Sequence, residues 1–465
     1  MLTYDLSGHG KTPMYEYLYQ MIRDDILAGR VKKDEKLPSK RTLAEHLSVS
    51  KITVENAYAQ LLAEGYIYSR EKKGYFAEDM GSFDFHAERE QKKSKGTENG
   101  EAAPLLADFT QNHIGEQCFP YAAWARTVRR VIMDEPFVRA APYAGLLSLR
   151  QAISDYLYRF RGMEVSPDEI IIGSGTEYLY HLIIQLLGRH LCYGVEEPGY
   201  RKVERVFQAN GVSTVNIPLD SLGVSMEKLT EKKAQVLHIS PSHHFPTGIV
   251  TAAKRRMELL QWAAAGEERY ILEDDYDCEF RFSGRPIPTL QSMDTHGRVI
   301  YMNTFSKSLS PSMRVSYMIL PRELMERFAQ KLSFYSCTVP VLDQSALAAF
   351  IAEGHFEKHL NRAKKYYRGL CESLSGAIAA SRLKDKVTIL EADAGLHFLL
   401  QVKTQLSDRE LSFRLEKEGL RMRLLRDYYA AWEETQESRC LVVNYASIDP
   451  GKINAIIKAM ERALA

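Results

Sequence analysis

Hydrophobic positions near the start of the chain recur at the spacing of a helix. Leu18, Ile22 and Ile26 repeat every fourth residue over residues 13–28. Pro13 suits the first turn of a helix, and a glycine follows the last turn. The pattern therefore predicts an amphipathic helix over residues 13–28.

Two shorter helical patterns follow, separated by a turn of three residues. Ser39 can cap the first helix, in which Leu43 and Leu47 share one face. Ser50 can cap the second helix, which is predicted over residues 51–64. Its buried face is predicted to carry Val54, Tyr58 and Leu61. Two short helices joined by so tight a turn indicate a helix-turn-helix, whose second helix enters the DNA major groove.

The next segment changes from helical to extended and then to polar. Apolar residues 66–68 and 75–76 flank the basic residues 70–74, which predicts a β-hairpin with a basic tip. Residues 78–107 have high charge, several glycines and no apolar periodicity. They are typical of a flexible linker, although a basic cluster there can also touch phosphate.

From residue 108 onward, short apolar runs alternate with helical patterns. This alternation is typical of an α/β fold around a mainly parallel sheet. Strands are predicted over residues 170–172, 270–276 and 299–302, and a helix over residues 177–187. Because ligands of such sheets gather at the carboxyl ends of the strands, the residues after each run are the candidates for chemistry.

Three of these strand ends carry complementary chemical groups. The first offers backbone N–H groups at a helix start, the second a buried carboxylate near a tyrosine, and the third a lysine with hydroxyls and an arginine. A desolvated lysine can form an imine with an aldehyde, and an arginine can hold a phosphate through two oxygens. A plain tight turn and a solvated Lys/Ser loop are the alternatives for the first and third sites. The candidate residues are Ser174, Gly175, Thr176, Asp274, Tyr276, Thr304, Ser306, Lys307 and Arg314.

Length and composition narrow the class of protein. A chain of 465 residues predicts two or three domains, and 45% hydrophobic with 26% charged residues fits a globular protein. No apolar run reaches the roughly 20 residues of a membrane span, and we see no signal peptide. The six cysteines lack CxxC spacing, which argues against zinc and disulfides and favours a cytoplasmic protein. The net charge of +1 does not by itself indicate a nucleic-acid binder. Residues 30–75, however, carry ten Lys/Arg against six Asp/Glu, a local excess that weakly indicates one.

The N-terminal motifs resemble the winged helix-turn-helix of GntR-type bacterial regulators. The match is carried by Pro38-Ser39-x-Arg41-x-Leu43-Ala44-x-x-Leu47-x-Val49-Ser50-x-x-Thr53-Val54, and by Gly74-Tyr75-Phe76 in the wing. Lys51 departs from the arginine that is usual in that family, and so lacks the guanidinium fork that reads guanine best. A helical hairpin that binds no DNA is the alternative. The resemblance implies DNA contacts by Ser39, Arg41, Lys51 and Thr53, and by Lys73 or Gly74 on the wing.

The remaining residues resemble a fold-type I aminotransferase, which uses pyridoxal 5′-phosphate. The two parts together make the chain similar to the MocR/GabR subfamily of regulators. The resemblance implies that Lys307 forms the Schiff base, that Asp274 lies opposite the pyridine nitrogen and that Tyr276 lies near the 3′-oxygen. It places Ser174, Gly175, Thr176, Thr304, Ser306 and Arg314 around the phosphate. It also implies that Tyr200 stacks on the ring and that Tyr143 reaches the partner's phosphate across a homodimer.

Two departures from the aminotransferase pattern affect the expected function. Phe245-Pro246-Thr247-Gly248 stands where aminotransferases carry Asn-Pro-x-Gly, preceded by the adjacent His243 and His244. Neighbouring histidines usually point apart, so we expect no metal site. Val442 and Ser447 occupy the two positions where the arginine that holds a substrate carboxylate would align. We expect transaminase activity to be absent or vestigial, unless Arg421, Arg423, Arg426 or Arg439 compensates.

The resulting prediction is a winged helix-turn-helix over residues 10–78, a flexible linker over 79–107 and an α/β fold-type I aminotransferase-like domain over 108–465. The predicted function is transcription regulation, with binding of double-stranded promoter DNA and sensing of pyridoxal 5′-phosphate or of an amino compound. The alternatives are a working aminotransferase with an accessory DNA-binding domain and a repressor whose large domain only dimerises.

Overall fold

The computed structural model describes residues 2–10, 12–79, 105–111, 115–134, 139–282, 287–392, 394–432 and 438–465. The chain divides into two compact units, Met1–Glu101 and Ala102–Ala465. Most of the linker predicted over residues 79–107 lies outside the described residues. Ala107, the last residue of that predicted range, begins a strand in which it pairs with Leu420.

The N-terminal unit is a three-helix domain with a two-stranded wing. Its elements are α1 (Met14–Leu27), α2 (Lys40–Leu47), α3 (Lys51–Ala63), β1 (Ile67–Arg70) and β2 (Gly74–Ala77). Ser39 and Ser50 cap α2 and α3, accepting from the backbone N–H of Thr42 and Thr53 at 3.1 Å each, which satisfies donors that a helix start leaves free. The core is built from the apolar stripe of α1 and from the predicted face of α3: Leu18, Ile22, Ile26, Val54, Tyr58 and Leu61.

The large unit alternates strands with helices, as predicted from the hydrophobic pattern. Its strands are β3 (Ala107–Asp108), β4 (Ile170–Gly173), β5 (Cys192–Glu197), β6 (Ser213–Asp220), β7 (Gly223–Val224), β8 (Val236–Ile239), β9 (Tyr270–Asp274), β10 (Val299–Thr304), β11 (Ser316–Ile319), β12 (Val387–Leu390), β13 (His397–Val402), β14 (Leu420–Arg421), β15 (Arg423–Leu424) and β16 (Cys440–Asn444). Its helices are α4 (Tyr121–Asp134), α5 (Leu147–Arg161), α6 (Thr176–Leu187), α7 (Arg201–Ala209), α8 (Met226–Glu231), α9 (Ala253–Ala264), α10 (Leu290–Met293), α11 (Phe305–Ser308), α12 (Arg322–Leu332), α13 (Val341–Ala352), α14 (His355–Ala380), α15 (Asp408–Lys417) and α16 (Ile453–Ala463).

A central sheet of eight strands positions the candidate chemistry. Its order is β4-β11-β10-β9-β8-β5-β6-β7, and the five strands from β10 to β6 in this order run parallel. The central strands β8, β9 and β10 are fully buried, which explains why they read as continuous apolar runs. The prediction of an α/β fold with a mainly parallel sheet is confirmed. No helix within the described ranges has the length and apolar character needed to cross a membrane.

A second, antiparallel sheet has the order β12-β13-β16-β15. Its side chains alternate between two environments, as the strand period of two requires. Phe398 and Leu400 on one face join the core formed with α14 and α16. Leu399 and Val442 on the opposite face form a small apolar cluster with Tyr428 and Phe245.

Candidate cofactor site and nucleic-acid interface

Lys307 lies on α11, a single helical turn that begins where β10 ends. Burial lowers the pKa of the amine to about 8, although Asp277 and Asp274 act in the opposite direction by favouring the charged form. An amine with this pKa keeps a usable deprotonated fraction near neutral pH, which is the form that attacks a carbonyl carbon.

The lowered pKa predicts how the reactivity of Lys307 changes with pH. Because only the free amine is a nucleophile, its rate of reaction with an added aldehyde should rise about tenfold per pH unit below pH 8 and level off above it. The rate at which the visible absorption band of the adduct appears between pH 6 and 9 measures this. A rate that still rises about tenfold per pH unit at pH 9, as an ordinary lysine with a pKa of 10.5 requires, would contradict the inferred burial of the amine.

Asp274 ends β9, beside the strand that leads to Lys307. Its Oδ2 accepts a hydrogen bond of 2.9 Å from the hydroxyl of Tyr180, which lies 2.8 Å from His238 Nε2. Its Oδ1 is buried and has no hydrogen-bond partner among the described residues. A buried carboxylate oxygen without a hydrogen-bond donor is costly, so this atom fits a ligand that donates a hydrogen bond, such as a protonated ring nitrogen.

The predicted phosphate residues lie around the start of α6. Gly175 has φ +88°, and a Cβ at this position would lie 2.1 Å from Nη2 of Arg314, so only glycine lets the arginine approach the turn. Near Lys307, the hydroxyls of Thr304, Ser306 and Ser316 form a chain with spacings of 3.0 and 2.9 Å. Helix N–H groups, hydroxyls and a guanidinium together suit a phosphate.

Arg314 is engaged by a residue that the sequence analysis did not single out. Its Nη2 donates to Glu177 Oε2 at 2.7 Å, and Glu177 also accepts from Lys202. Burial works against ionisation of Glu177, but these two cations and the start of α6 lower its pKa to about 2. The predicted phosphate site therefore already contains a carboxylate of the same chain, Glu177, bound to its arginine.

The predicted aromatic residues have different surroundings. Tyr200 is 54% exposed and meets Phe245 edge to face, with ring centroids 5.9 Å apart. The hydroxyl of Tyr276 lies 3.4 Å from His243 Nδ1, within the buried side of the site. Tyr143 packs against Phe328, with ring centroids 6.1 Å apart, and its contact with a partner's phosphate stays a prediction.

A cluster of buried polar side chains lies next to Tyr276. His243 Nδ1 lies 2.8 Å from Asp277 Oδ2, and the rings of His243 and His397 are 4.5 Å apart. One donor atom each from His243, Asp277 and His397 lies within 4.8 Å of the others, a set that could in principle hold a metal ion. The charge of Lys307 is among the causes that lower the pKa of His397, after burial and the other histidines, and it opposes a second cation here. The expectation of no metal stays a prediction.

The two adjacent histidines face different partners. While His243 meets Asp277, His244 Nδ1 lies 2.7 Å from the hydroxyl of Thr247. Burial, with smaller effects from two neighbouring histidines, lowers the pKa of His244 to about 3. The surroundings of His244 therefore favour its neutral form, and its hydrogen bond to Thr247 lies in the turn before Gly248.

The surroundings of Val442 show which of the four candidate arginines lies nearest to the position where aminotransferases carry their carboxylate-binding arginine. Val442 is fully buried in the apolar cluster, and Ser447 is partly buried. Arg421 pairs with Asp108, Arg426 with Asp408, and Arg439 donates to Leu406. Arg423 is the direct partner of Val442 in the antiparallel ladder, so it projects from the same face, and it has no ion pair within the described part of the chain.

The predicted DNA contacts lie on the exposed surface of the N-terminal unit. Arg41 pairs with Glu45 at 2.9 Å and Lys51 lies 3.7 Å from Glu55, both as helical neighbours open to solvent. The hydroxyls of Ser39 and Thr53 take part in the caps of α2 and α3. Lys73 lies in the exposed turn of the wing and Gly74 begins β2.

Comparisons with known proteins agree with this two-part organisation. The bacterial regulatory proteins of the gntR family match residues 14–76, and aminotransferase class I and II matches residues 109–460. An uncharacterized HTH-type transcriptional regulator of Bacillus subtilis, YdeL, is 36% identical, covering 97% of this chain and 96% of its own. A probable rhizopine catabolism regulatory protein of Rhizobium meliloti, MocR, is 31% identical over 98% and 95% of the two chains. The structure of a kynurenine aminotransferase from Pyrococcus horikoshii matches with a TM-score of 0.68 at 22% identity, covering 82% of this chain and 96% of that one, and shows the fold of the large unit.

Proposed function

This chain belongs to the MocR/GabR subfamily of GntR-type transcription regulators, and on that basis we propose that pyridoxal 5′-phosphate bound at Lys307 controls its binding to promoter DNA. The observation that carries the proposal is the buried Oδ1 of Asp274, which lacks a donor among the described residues and lies one strand from Lys307. The protein is proposed to act as a homodimer in the bacterial cytoplasm.

Each part of the cofactor would meet matching chemistry. Asp274 would keep the ring nitrogen protonated. Tyr276 would hydrogen-bond the 3′-oxygen, and Tyr200 would stack on the ring. Tyr143 would contact the phosphate bound by the partner subunit. The remaining phosphate ligands would be Ser174, Gly175, Thr176, Thr304, Ser306 and Arg314.

When bound, pyridoxal 5′-phosphate supplies an electrophilic carbon that primary amines attack. In this chain Lys307 provides the resident amine, and its low pKa lets it accept and release a proton near neutral pH. A second amine near the bound cofactor would meet the face that carries His397, Leu399 and Val442. Loading of pyridoxal 5′-phosphate is therefore the first proposed signal, and an amino compound that reaches the same site is the second.

A working aminotransferase is the second candidate, because the lysine, carboxylate and arginine of the site are all present. Against it, Val442 offers no charge to a substrate carboxylate, and replacing a charged hydrogen bond by an apolar contact forfeits about 1.5–3 kcal/mol. We propose that turnover is absent or vestigial.

DNA binding by cofactor-free and cofactor-loaded protein tests the proposed function. Full-length protein is titrated onto duplexes from its own promoter region and onto random duplexes, with a panel of L-, D- and ω-amino acids. A preference for the promoter that changes with cofactor loading supports regulation by pyridoxal 5′-phosphate itself. An amino acid that shifts both the absorption band and the DNA affinity identifies an amino effector instead. Equal binding to all duplexes, or steady turnover of an amino acid with a keto acid, would refute the proposed regulatory function.

Asp274→Asn is expected to weaken cofactor retention by about one to two orders of magnitude. The substitution removes the charge from a hydrogen bond to the ring nitrogen, and charge-assisted bonds are about twice as strong as neutral ones. Retention is measured by the absorption left after dialysis against buffer. Asp294→Asn, at a surface turn where the carboxylate caps backbone N–H groups, is the matched control and should retain the cofactor. Equal retention by both variants would exclude Asp274 as the ring partner.

Arg423→Gln is expected to abolish the response to an acidic effector and to leave the cofactor band intact. Arg423 lies across the ladder from Val442 and has no described ion pair, so it is the arginine best placed to read a carboxylate. Arg421→Gln, which breaks only the pair with Asp108, is the control. The effector titration above, repeated on both variants, separates the two arginines. An unchanged response in Arg423→Gln would assign the carboxylate to another residue.

A further inference from the structure

The recognition helix α3 exposes a large apolar side chain in its first turn. Ile52 is 67% exposed, the most exposed large hydrophobic residue of the N-terminal unit's described part. Its neighbours along α3, Val54 and Tyr58, are fully buried in the core. Ile52 therefore contributes nothing to the core, and it faces the side of the helix that a helix-turn-helix turns toward DNA.

A polar side chain lies one turn further along the same face. Asn56 is exposed, stands four residues after Ile52 and has no hydrogen-bond partner in the part of the chain that the structure describes. Residues at this spacing are neighbours on a helix surface. Ala59 continues the exposed stripe with a side chain too small to hold the helix away from a base.

The surrounding charges point to a polyanionic partner for this face. Lys51 directly precedes Ile52, and Arg41 on α2 is largely exposed. Two acidic groups accompany these cations: Glu45 accepts from Arg41 at 2.9 Å, and Glu55 is approached by Lys51 at 3.7 Å and by Lys40 at 4.0 Å. Ile52 thus adjoins Lys51 in a pair of helices, α2 and α3, whose three Lys/Arg residues outnumber their two glutamates, an arrangement suited to contacts with the DNA backbone.

We infer that Ile52 packs against the 5-methyl group of a thymine and that Asn56 hydrogen-bonds an adenine, so that α3 reads A·T base pairs. The thymine methyl is the only apolar group that the four bases present in the major groove. Asparagine can bond adenine N6 and N7 at once, which makes the two residues a matched pair for A·T. This inference concerns the DNA sequence that is read and stands apart from the proposed role of the cofactor.

Replacing thymine by deoxyuridine tests the contact because it removes that methyl group alone. Full-length protein first selects its preferred duplex from a random pool, and each thymine of that duplex is then replaced singly. For wild-type protein we expect affinity to fall about fourfold at one thymine per half-site, the factor for losing one buried methyl group. Ile52→Ala should bind the thymine and deoxyuridine duplexes equally.

Two matched variants separate this contact from general effects. Leu62→Ala removes another exposed apolar side chain, 42% exposed near the end of α3, and should keep the full thymine preference. Lys73→Ala on the wing should weaken binding to every duplex and reduce its salt dependence. Wild-type protein that ignores deoxyuridine at every position, or Ile52→Ala that still discriminates, overturns the inference. The wild-type result decides the question even if Ile52→Ala folds poorly.

Discussion

Lys307→Ala is expected to abolish covalent attachment of pyridoxal 5′-phosphate and to leave the protein without its visible absorption band. The lysine is the resident amine of the proposed site, and its pKa of about 8 makes it far more nucleophilic at neutral pH than an exposed lysine. Absorption after incubation with the cofactor and gel filtration measures the loss. Borohydride treatment of wild-type protein followed by mass spectrometry should place the label on Lys307.

Lys364→Ala is the matched control for this substitution. Burial also lowers the pKa of Lys364, but its ammonium lies over the ring of Phe160, 5.0 Å from the centroid, on a different element from Lys307. The control variant should keep the full band. A band that persists in Lys307→Ala, or a label found on Lys364, would refute the proposed lysine.

Arg161→Met is expected to lower the free energy of unfolding of the large unit by about 3–5 kcal/mol, the cost of breaking a buried ion pair from one side. Arg161 Nη2 donates to Asp275 Oδ2 at 2.8 Å, with side chains only 3% and 0% exposed. Asp275 also accepts from Tyr301 at 2.9 Å and lies between Asp274 and Tyr276. Losing the guanidinium leaves a buried charge and loosens the chain at the proposed cofactor site.

Tryptophan fluorescence during urea unfolding reports this effect for the large unit alone. The three tryptophans, at positions 124, 262 and 432, all lie in that unit. Arg322→Met removes an exposed pair with Glu326 and should change the free energy of unfolding by less than about 1 kcal/mol. Adding Asp275→Asn to Arg161→Met should recover part of the loss, since it removes the uncompensated charge. An equal loss in the free energy of unfolding for Arg161→Met and Arg322→Met would show that the buried ion pair stabilises the large unit no more than an exposed one.

Much of the fold was predictable because its signals are local. The caps Ser39 and Ser50 and the apolar face of α3 follow from short-range chemistry, and the structure confirms them. The buried strands were found from their continuous apolar runs, but β9 ends at Asp274, two residues before the predicted end, and β10 runs two residues further, to Thr304. These limits depend on pairing between strands, which the pattern of one strand does not contain.

The candidate site was predicted only where one motif carries its own chemistry. Lys307, Asp274 and Gly175 belong to such motifs. Glu177 was missed because its two partners are 25 and 137 residues away in sequence, and a helix-start glutamate has an ordinary explanation. The cluster of buried polar side chains formed by His243, Asp277 and His397 was also missed. Its three residues come from separate segments of the sequence, so no single motif contains it. Arg423 was one of four candidates until the strand register placed it opposite Val442.

The ion pair between Arg314 and Glu177 gives the proposed phosphate site a means of rejecting the wrong anions. An anion that uses Nη2 of this guanidinium must compete with a carboxylate that is already in place at 2.7 Å. Chloride or acetate carries no more charge than this resident carboxylate and gains little by replacing it. A phosphate dianion carries about twice the charge and offers three oxygens to the surrounding donors. If phosphate binds here, Glu177 would thus set a threshold that favours a doubly charged ligand over abundant monovalent anions.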